Sequence, residues 1–214
     1  MIFKSTRTWR ATLATTAALA ASLAAIASGC ATYGPALSGY TCCNFHYDRA
    51  KRNTGYTRRL ADRYWISDAN WSSLPMIPAG TPIRTKSYSR YDITVDVDAF
   101  YTQEMHLGLD FGRSQNLADW ARRMIVKDDP KPTIWSWEES VRRAVRAGKV
   151  VIGMTQEQVI VSLGYPPAHE TPSLDADRWK YWYGNFDTFL VVWDDQLRVR
   201  EVIADPQTRA AVTQ

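Results

Sequence analysis

Histidine and cysteine are scarce in this chain of 214 residues, which has only three of each. His46, His106 and His169 lie in three separate segments, and none belongs to a His-Glu-x-x-His motif or to a paired-cysteine metal motif. His46 and Asp48 come closest to a base with an orienting carboxylate, but a structural histidine is the favoured interpretation. The sequence therefore predicts no metal site and no cofactor.

Motifs of nucleophilic and phosphate chemistry are missing as well. The sequence has no Gly-x-Ser-x-Gly elbow, no glycine loop that could hold phosphates, and no cysteine with a matching His and Asn arrangement. We therefore expect no catalytic residue and no enzymatic activity.

Charge of one sign is not concentrated either. The chain has 26 basic and 22 acidic residues, and three of the basic ones, Lys4, Arg7 and Arg10, lie at its beginning. Without these three, 23 basic residues stand against 22 acidic ones. Nucleic-acid binding requires a concentrated basic patch, so no nucleic-acid partner is expected.

Residues 1–29 have the features of an export signal. The three basic residues precede an uncharged run of Ala, Leu and Thr over 11–27. That run is at the lower limit of the roughly 17–25 residues that cross a bilayer. We therefore expect a signal peptide and not a retained membrane helix.

The end of this segment, Ala27-Ser28-Gly29-Cys30, resembles a bacterial lipobox, with Ala27 where that motif prefers Leu. The resemblance implies that Cys30 is diacylated and becomes the mature N-terminus. Ala31 follows Cys30, where an Asp would favour retention at the inner membrane, so the expected location is the periplasmic face of the outer membrane. Ordinary signal cleavage, for instance after Ala27, with a free Cys30, is the alternative.

The remaining chain divides by composition into four parts. We predict a lipid anchor and tether over 30–41, a β-rich module over 42–130, an α+β domain over 133–205 and a C-terminal tail over 206–214. The boundary follows from Asp128-Asp129-Pro130-Lys131-Pro132, because two prolines end a helix and favour a linker.

The module over 42–130 alternates short runs of β-branched and aromatic residues with turn residues. Strands are predicted over 63–66, 83–86, 91–98 and 105–111, and a helix capped by Ser114 over 115–127. This order is typical of a small antiparallel meander or a partly closed barrel with one helix.

Cys42 and Cys43 begin this module as neighbours in the sequence. Consecutive Cα atoms lie ~3.8 Å apart, below the ~4.4 Å lower limit of disulfides, so the two cannot be joined to each other. We interpret them as small apolar residues of a strand; one reactive thiol is the alternative.

Residues 149–166 carry the signals of one short helix. Thr155 is a suitable N-cap and Gln158 completes a capping box, Gly164 suits the left-handed position after a helix, and Pro166 prevents continuation. The predicted inner stripe consists of Val159, Ile160 and Leu163. A helix this short is marginal alone, so a larger element must support it.

Three apolar runs after this helix predict an antiparallel meander, with strands over 179–183, 188–193 and 197–203. A further helix is predicted before the short helix of residues 149–166. It begins at Ser136, and Glu139 completes its capping box. The outer face of that helix carries Arg142, Arg146 and Lys149. These three could contact an anionic lipid surface or form a solvated face that suits the helix C-terminus.

Several of these residues occur in an order that resembles the SmpA/OmlA (BamE-like) outer-membrane lipoprotein family. The resemblance covers about residues 137–203 and comprises Gly153-Met154-Thr155-x-x-Gln158-Val159, Leu163-Gly164-x-Pro166, Trp179-x-Tyr181 and Asp194-Asp195. It implies two helices packed on a three-stranded antiparallel sheet. It also implies a non-catalytic interaction module that supports outer-membrane β-barrel protein assembly or envelope integrity, with envelope proteins such as the β-barrel assembly machinery as partners. In the short members the unit follows the lipid almost directly, whereas residues 31–135 intervene here.

The sequence thus predicts an α+β fold and a lipid-anchored envelope protein. Two other functions stay open. The Ile77–Pro82 bend resembles loops of SH3-like modules, which favours a lipoprotein that binds cell wall or a small ligand. An inhibitor-type binding protein is the second.

Overall fold

The computed structural model describes residues 34–49, 64–89, 92–98, 105–111, 116–184 and 186–214. Residues Thr32–Gln214 form one compact unit. The predicted export signal, Cys30 and Ser114 lie outside the described residues.

The described chain contains twelve strands and five helices. The strands are β1 (Ser38–Thr41), β2 (Phe45–His46), β3 (Asp48–Arg49), β4 (Tyr64–Ser67), β5 (Met76–Ile77), β6 (Pro82–Tyr88), β7 (Asp92–Val97), β8 (Met105–Gly108), β9 (Ile125–Val126), β10 (Arg178–Trp182), β11 (Thr188–Trp193) and β12 (Val199–Ile203). The helices are α1 (Leu117–Met124), α2 (Lys131–Trp135), α3 (Glu139–Arg146), α4 (Gln156–Leu163) and α5 (Pro206–Val212).

The β-rich half is built on a seven-stranded open sheet with the order β3-β4-β8-β7-β6-β1-β9. All neighbouring strands are antiparallel except β4 and β8, which are parallel. In β7 the apolar residues Ile93, Val95 and Val97 are buried and alternate with half-buried polar ones, as expected for a strand with one face in a core. Helix α1 buries Trp120 and Met124 in the same core.

The helix predicted over 115–127 is shorter than expected. It begins after Asn116, whose side chain accepts hydrogen bonds from the amides of Ala118 (2.9 Å) and Asp119 (3.2 Å). It ends at Met124 because the next two residues extend as β9 and pair with β1.

The predicted tether over 30–41 is wrong for its second part. Residues Ser38–Thr41 form β1, which pairs with β6 on one side and β9 on the other. The contact begins earlier, since the Tyr88 hydroxyl donates to the Pro35 carbonyl at 2.8 Å and the Thr85 amide to the Leu37 carbonyl at 2.9 Å. Backbone pairing with β6 and β9 holds residues 38–41 in place. The sequence pattern does not reveal this pairing.

The C-terminal half has the predicted three-stranded antiparallel sheet, in the order β10-β11-β12. Its buried face carries Trp179, Tyr181, Phe189 and Val191, which pack in one core with residues of α3 and α4. The predicted α+β fold class is therefore confirmed. Leu197, the first residue of the predicted strand over 197–203, instead lies exposed in the preceding turn with φ +56°.

The predicted capping box of Ser136 and Glu139 is wrong. The Ser136 hydroxyl donates to the carbonyl of Thr133 at 2.7 Å, because Ser136 ends the short helix α2. Helix α3 begins three residues later, with Glu138 at the N-cap and no side-chain cap bond. Glu139 is thereby free to pair with two arginines, as described below.

The segment predicted as a tail over 206–214 is also a correction. It forms helix α5, whose N-cap Asp205 accepts from the amides of Gln207 (2.9 Å) and Thr208 (3.1 Å). Val212 is buried in the C-terminal core, and the amide of Val150 donates to its carbonyl at 2.8 Å. Burial of Thr208 and Val212 explains why this segment is ordered against the fold.

Candidate functional site

The short helix α4 has the N-terminus that the sequence predicts. The Gln158 amide donates to the Thr155 hydroxyl at 3.3 Å, and the Thr155 amide donates to the Gln158 side chain at 2.9 Å. Together these bonds form the capping box and satisfy two amides that a helix start leaves unpaired.

Gly153 and Met154 fasten the start of this helix to β12. The amide of Gly153 donates to the Val199 carbonyl, and the amide of Val199 donates to the Met154 carbonyl, both at 2.8 Å. Gly153 has φ +88°, a conformation that favours glycine, and the Met154 side chain is fully buried.

The inner stripe of α4 is only partly as predicted. Val159 and Leu163 are buried, whereas Ile160 is half-buried and the buried set also includes Val161 and Ser162. A one-sided stripe does not describe this helix because protein contacts it on two sides. The C-terminal core takes Val159 and Leu163, and the backbone of Val161 and Ser162 binds the β-rich half.

Two buried asparagines, Asn44 and Asn70, make that second contact. The backbone amide of Asn44 donates to the Val161 carbonyl at 3.0 Å, and its side-chain Nδ2 donates to the Ser162 carbonyl at 3.0 Å. Nδ2 of Asn70 donates to the Leu163 carbonyl at 2.7 Å. The last carbonyls of a helix have no intrahelical partner, so residues from the other half of the molecule satisfy them.

Asn44 and Asn70 were not among the predicted residues. Nδ2 of Asn44 also reaches the Val145 carbonyl at 2.7 Å, and its Oδ1 accepts from the amide of Ala79 at 2.9 Å. Asn70 has φ +43°, a left-handed conformation that asparagine tolerates better than most residues. The only available signal was the turn Ser67-Asp68-Ala69-Asn70, which does not indicate a partner about 93 residues away.

Gly164 and Pro166 end α4 as predicted, although Gly164 is not strictly left-handed. Its φ is +83° and its ψ is 179°, and a Cβ at this position would lie 2.5 Å from Nδ2 of Asn70. The Gly164 carbonyl accepts from the hydroxyl of Tyr181 at 3.1 Å. Glycine is therefore required here both for the backbone conformation and for the close approach of Asn70.

The three basic residues predicted on the outer face of α3, Arg142, Arg146 and Lys149, contact two different parts of the protein. Nη1 of Arg142 donates to the Trp135 carbonyl at 2.9 Å, and its Nε to Glu139 at 3.0 Å, while Arg146 pairs with the same carboxylate at 3.2 Å. These bonds lower the pKa of Glu139. Nζ of Lys149 donates to the carbonyls of Ala210 (3.3 Å) and Thr213 (3.1 Å) at the end of α5, where a cation suits the helix dipole.

The three histidines lie apart. His46 is buried on β2, and burial lowers its pKa to about 4; its Nδ1 has no hydrogen-bond partner among the described residues. His106 is buried on β8 with Nδ1 3.5 Å from Asp92, and His169 lies in the loop after α4. In the part of the chain that the structure describes, no group of three or more His, Cys, Asp or Glu could hold a metal ion.

Cys42 and Cys43 are buried, and neither forms a disulfide. They lie in the bend between β1 and β2, not in a strand as predicted. Burial raises the pKa of the Cys43 thiol well above its usual value, which disfavours the reactive thiolate form.

A small pocket of about 60 Å³ opens between α1 and the loop after α4. Six of its nine lining residues are apolar or aromatic, and a carboxylate, a guanidinium and a threonine also line it. The lining residues are Asp68, Trp120, Arg123, Tyr165, Pro166, Ala168, Thr171, Pro172 and Leu174. Sequence reasoning did not predict this pocket, because its residues come from three distant segments.

Beside the pocket lies a surface cluster of Phe111, His169 and Trp182, which we call the aromatic platform. The Phe111 ring stacks on those of His169 and Trp182, each with centroids 5.5 Å apart, and Phe111 is 37% exposed. The carboxylate of Glu170 lies between Lys180, at 3.0 Å, and His169, at 3.9 Å. The platform thus combines apolar rings with a charged margin.

No protein-family model, no curated protein and no solved structure matches this chain. No helix among the described residues is long and apolar enough to cross a membrane.

Proposed function

We propose that this chain is a lipid-anchored envelope protein that acts as a non-catalytic interaction module on the periplasmic face of the outer membrane. Its anchor is the acylated Cys30. Its partners are envelope proteins, among which the β-barrel assembly machinery is the one that the SmpA/OmlA-like sequence pattern suggests, and its role is to support β-barrel protein assembly or envelope integrity.

The observation that carries this proposal is the buried connection between the two halves. Asn44 and Asn70 together donate to three consecutive carbonyls at the end of α4. Buried hydrogen bonds of this kind are costly to break, so the halves present their surfaces in one fixed arrangement. A pre-organised surface binds with less loss of conformational entropy, which suits a protein whose task is binding.

Two further features support the same function. The features of residues 1–30 favour export and acylation. The pocket and the aromatic platform provide surface residues of the types that dominate protein interfaces, namely Trp, Tyr and Arg.

The anchor is tested by the intact mass of full-length protein extracted from membranes of a Gram-negative host. An acyl-modified N-terminal Cys30 is expected. The matched variant Cys30→Ser should lose the added mass and leave the membrane fraction. A soluble periplasmic species that begins at another residue would contradict the proposal.

The partners are tested by affinity capture with tagged protein from detergent-solubilised outer membranes, with Cys30→Ser as the unanchored control. Recovery of barrel-assembly proteins supports the proposal. Binding to purified peptidoglycan without those proteins would contradict the proposal and favour the cell-wall alternative. Recovery of neither would contradict the proposal as well.

A further inference from the structure

The pocket and the aromatic platform are parts of one continuous surface. Ala168 lines the pocket, and the next residue, His169, belongs to the platform. Asp68 also lines the pocket, and its Oδ1 accepts a hydrogen bond from the amide of Phe111 at 3.2 Å. The peptide bond between Ala168 and His169 and the hydrogen bond between Phe111 and Asp68 therefore hold the pocket and the platform side by side.

The pocket itself suits a small apolar group. A volume of about 60 Å³ is well below the ~150 Å³ of an apolar cavity that holds benzene. Rings of Trp120 and Tyr165 and the prolines Pro166 and Pro172 form much of the wall. An alanine, valine or proline side chain has the right size and polarity for such a space.

A positive charge lies at the margin of this pocket. The guanidinium of Arg123 lies 5.5 Å from the ring centroid of Tyr165, a distance at which cation–π attraction holds it in place. A guanidinium has five donors, so a carboxylate of a bound molecule can add to the contacts that Arg123 already makes. The Asp68 carboxylate, which lines the same pocket, accepts hydrogen bonds from two backbone amides at Oδ1, and these partly offset its charge.

From this juxtaposition we propose that the pocket and the platform together bind an extended polypeptide segment of a partner protein. The segment places a small apolar residue or a proline in the pocket, an acidic residue beside Arg123, and a further apolar residue on the platform. The inference rests on the proposed interaction function and names the site and the chemistry of its partner.

An extended segment fits better than a folded surface for a geometric reason. Two adjacent subsites that each take one side chain suit successive side chains of an extended peptide, and aromatic-lined grooves are the usual receptors of proline-rich segments. The aromatic and arginine side chains are also the residue types that supply most binding energy at interfaces.

The test is selection of a phage-displayed library of random peptides on the immobilised full-length protein in detergent. Enriched peptides are synthesised, and their affinity is measured by fluorescence polarisation. We expect a shared pattern of a small apolar residue or proline beside Asp or Glu. Ala168→Leu, which fills the pocket, and Arg123→Glu should each weaken binding on the order of tenfold or more, as loss of a central interface contact does.

Matched controls make the result specific. Arg122→Glu changes the neighbouring arginine, which pairs with Asp119 and does not line the pocket, and should leave the affinity unchanged. Phe111→Ala should weaken binding, whereas Phe186→Ala, which removes a 95% exposed phenylalanine that belongs to neither the pocket nor the platform, should not. Circular dichroism establishes that each variant is folded, and the surface variants decide the matter if Ala168→Leu does not fold.

Three outcomes would overturn the inference. They are no enrichment over uncoated beads, enrichment of basic peptides as Asp68 would select, and equal binding by the Ala168→Leu and Arg123→Glu variants. Any of these leaves acylation of Cys30 and capture of envelope proteins untouched, so the failure of this inference is distinguishable from failure of the proposed function.

Discussion

Asn44 offers the most direct test of the connection between the two halves. Its side chain lies at 1% exposure and makes three hydrogen bonds, to the carbonyls of Val145 (2.7 Å) and Ser162 (3.0 Å) and from the amide of Ala79 (2.9 Å). The substitution Asn44→Ala removes all three and leaves the backbone bond of Asn44 to Val161 in place.

The magnitude follows from what is left unpaired. The Val145 carbonyl retains the amide of Gly148, at 3.1 Å, so its loss is small. The Ser162 carbonyl and the Ala79 amide lose the partner described above, and a buried group without a partner costs about 1–3 kcal/mol. With two such groups, we therefore expect Asn44→Ala to lower the free energy of unfolding by about 2–6 kcal/mol.

The measurement is urea denaturation followed by tryptophan fluorescence and by circular dichroism. Asn116→Ala is the control, because this residue caps the exposed start of α1 and should cost only about 1 kcal/mol. If Asn44→Ala lies within about 0.5 kcal/mol of the parent, the reasoning that the asparagine holds the halves together is refuted.

Three other changes probe the same region. Leu163→Ala removes a side chain at 1% exposure and should cost about 2–5 kcal/mol; an unchanged melting temperature would contradict this. Gly164→Ala places a Cβ 2.5 Å from Nδ2 of Asn70 at φ +83° and should cost at least about 1 kcal/mol in urea. The His46 pKa is depressed from 6.5 to about 4, so the unfolded chain binds more protons between these values. Stability should therefore fall by about 3 kcal/mol from pH 6.5 to pH 4, and His46→Gln should reduce that slope.

Local signals predicted the local structure. The capping box of Thr155 and Gln158 formed because both partners lie within one helical turn. The alternation in β7 and the range 188–193 for β11 were likewise correct, since each depends on the periodicity of a few neighbouring residues. The fold class followed from the order of these elements.

The errors have a common physical origin in contacts between distant segments. The tether became β1 because β6 and β9 pair with it, and the tail became α5 because Val212 is buried against Val150. Ser136 is a residue type that often caps the start of a helix, but here it is the C-cap of the preceding helix α2. The pocket and platform combine segments around residues 68, 111, 120, 170 and 182, and no spacing in the sequence relates them.

Helix α4 lies directly before the loop that lines much of the proposed binding pocket. Its start is held by β12 through Gly153 and Met154, and its end by Asn44, Asn70 and Tyr181. The loop that forms much of the pocket wall begins at Tyr165, directly after Gly164. Loss of the Asn70 side chain should therefore weaken peptide binding as well as stability, although Asn70 does not line the pocket. A variant Asn70→Ala that is less stable yet binds selected peptides with parental affinity would show that the pocket geometry is independent of the end of α4.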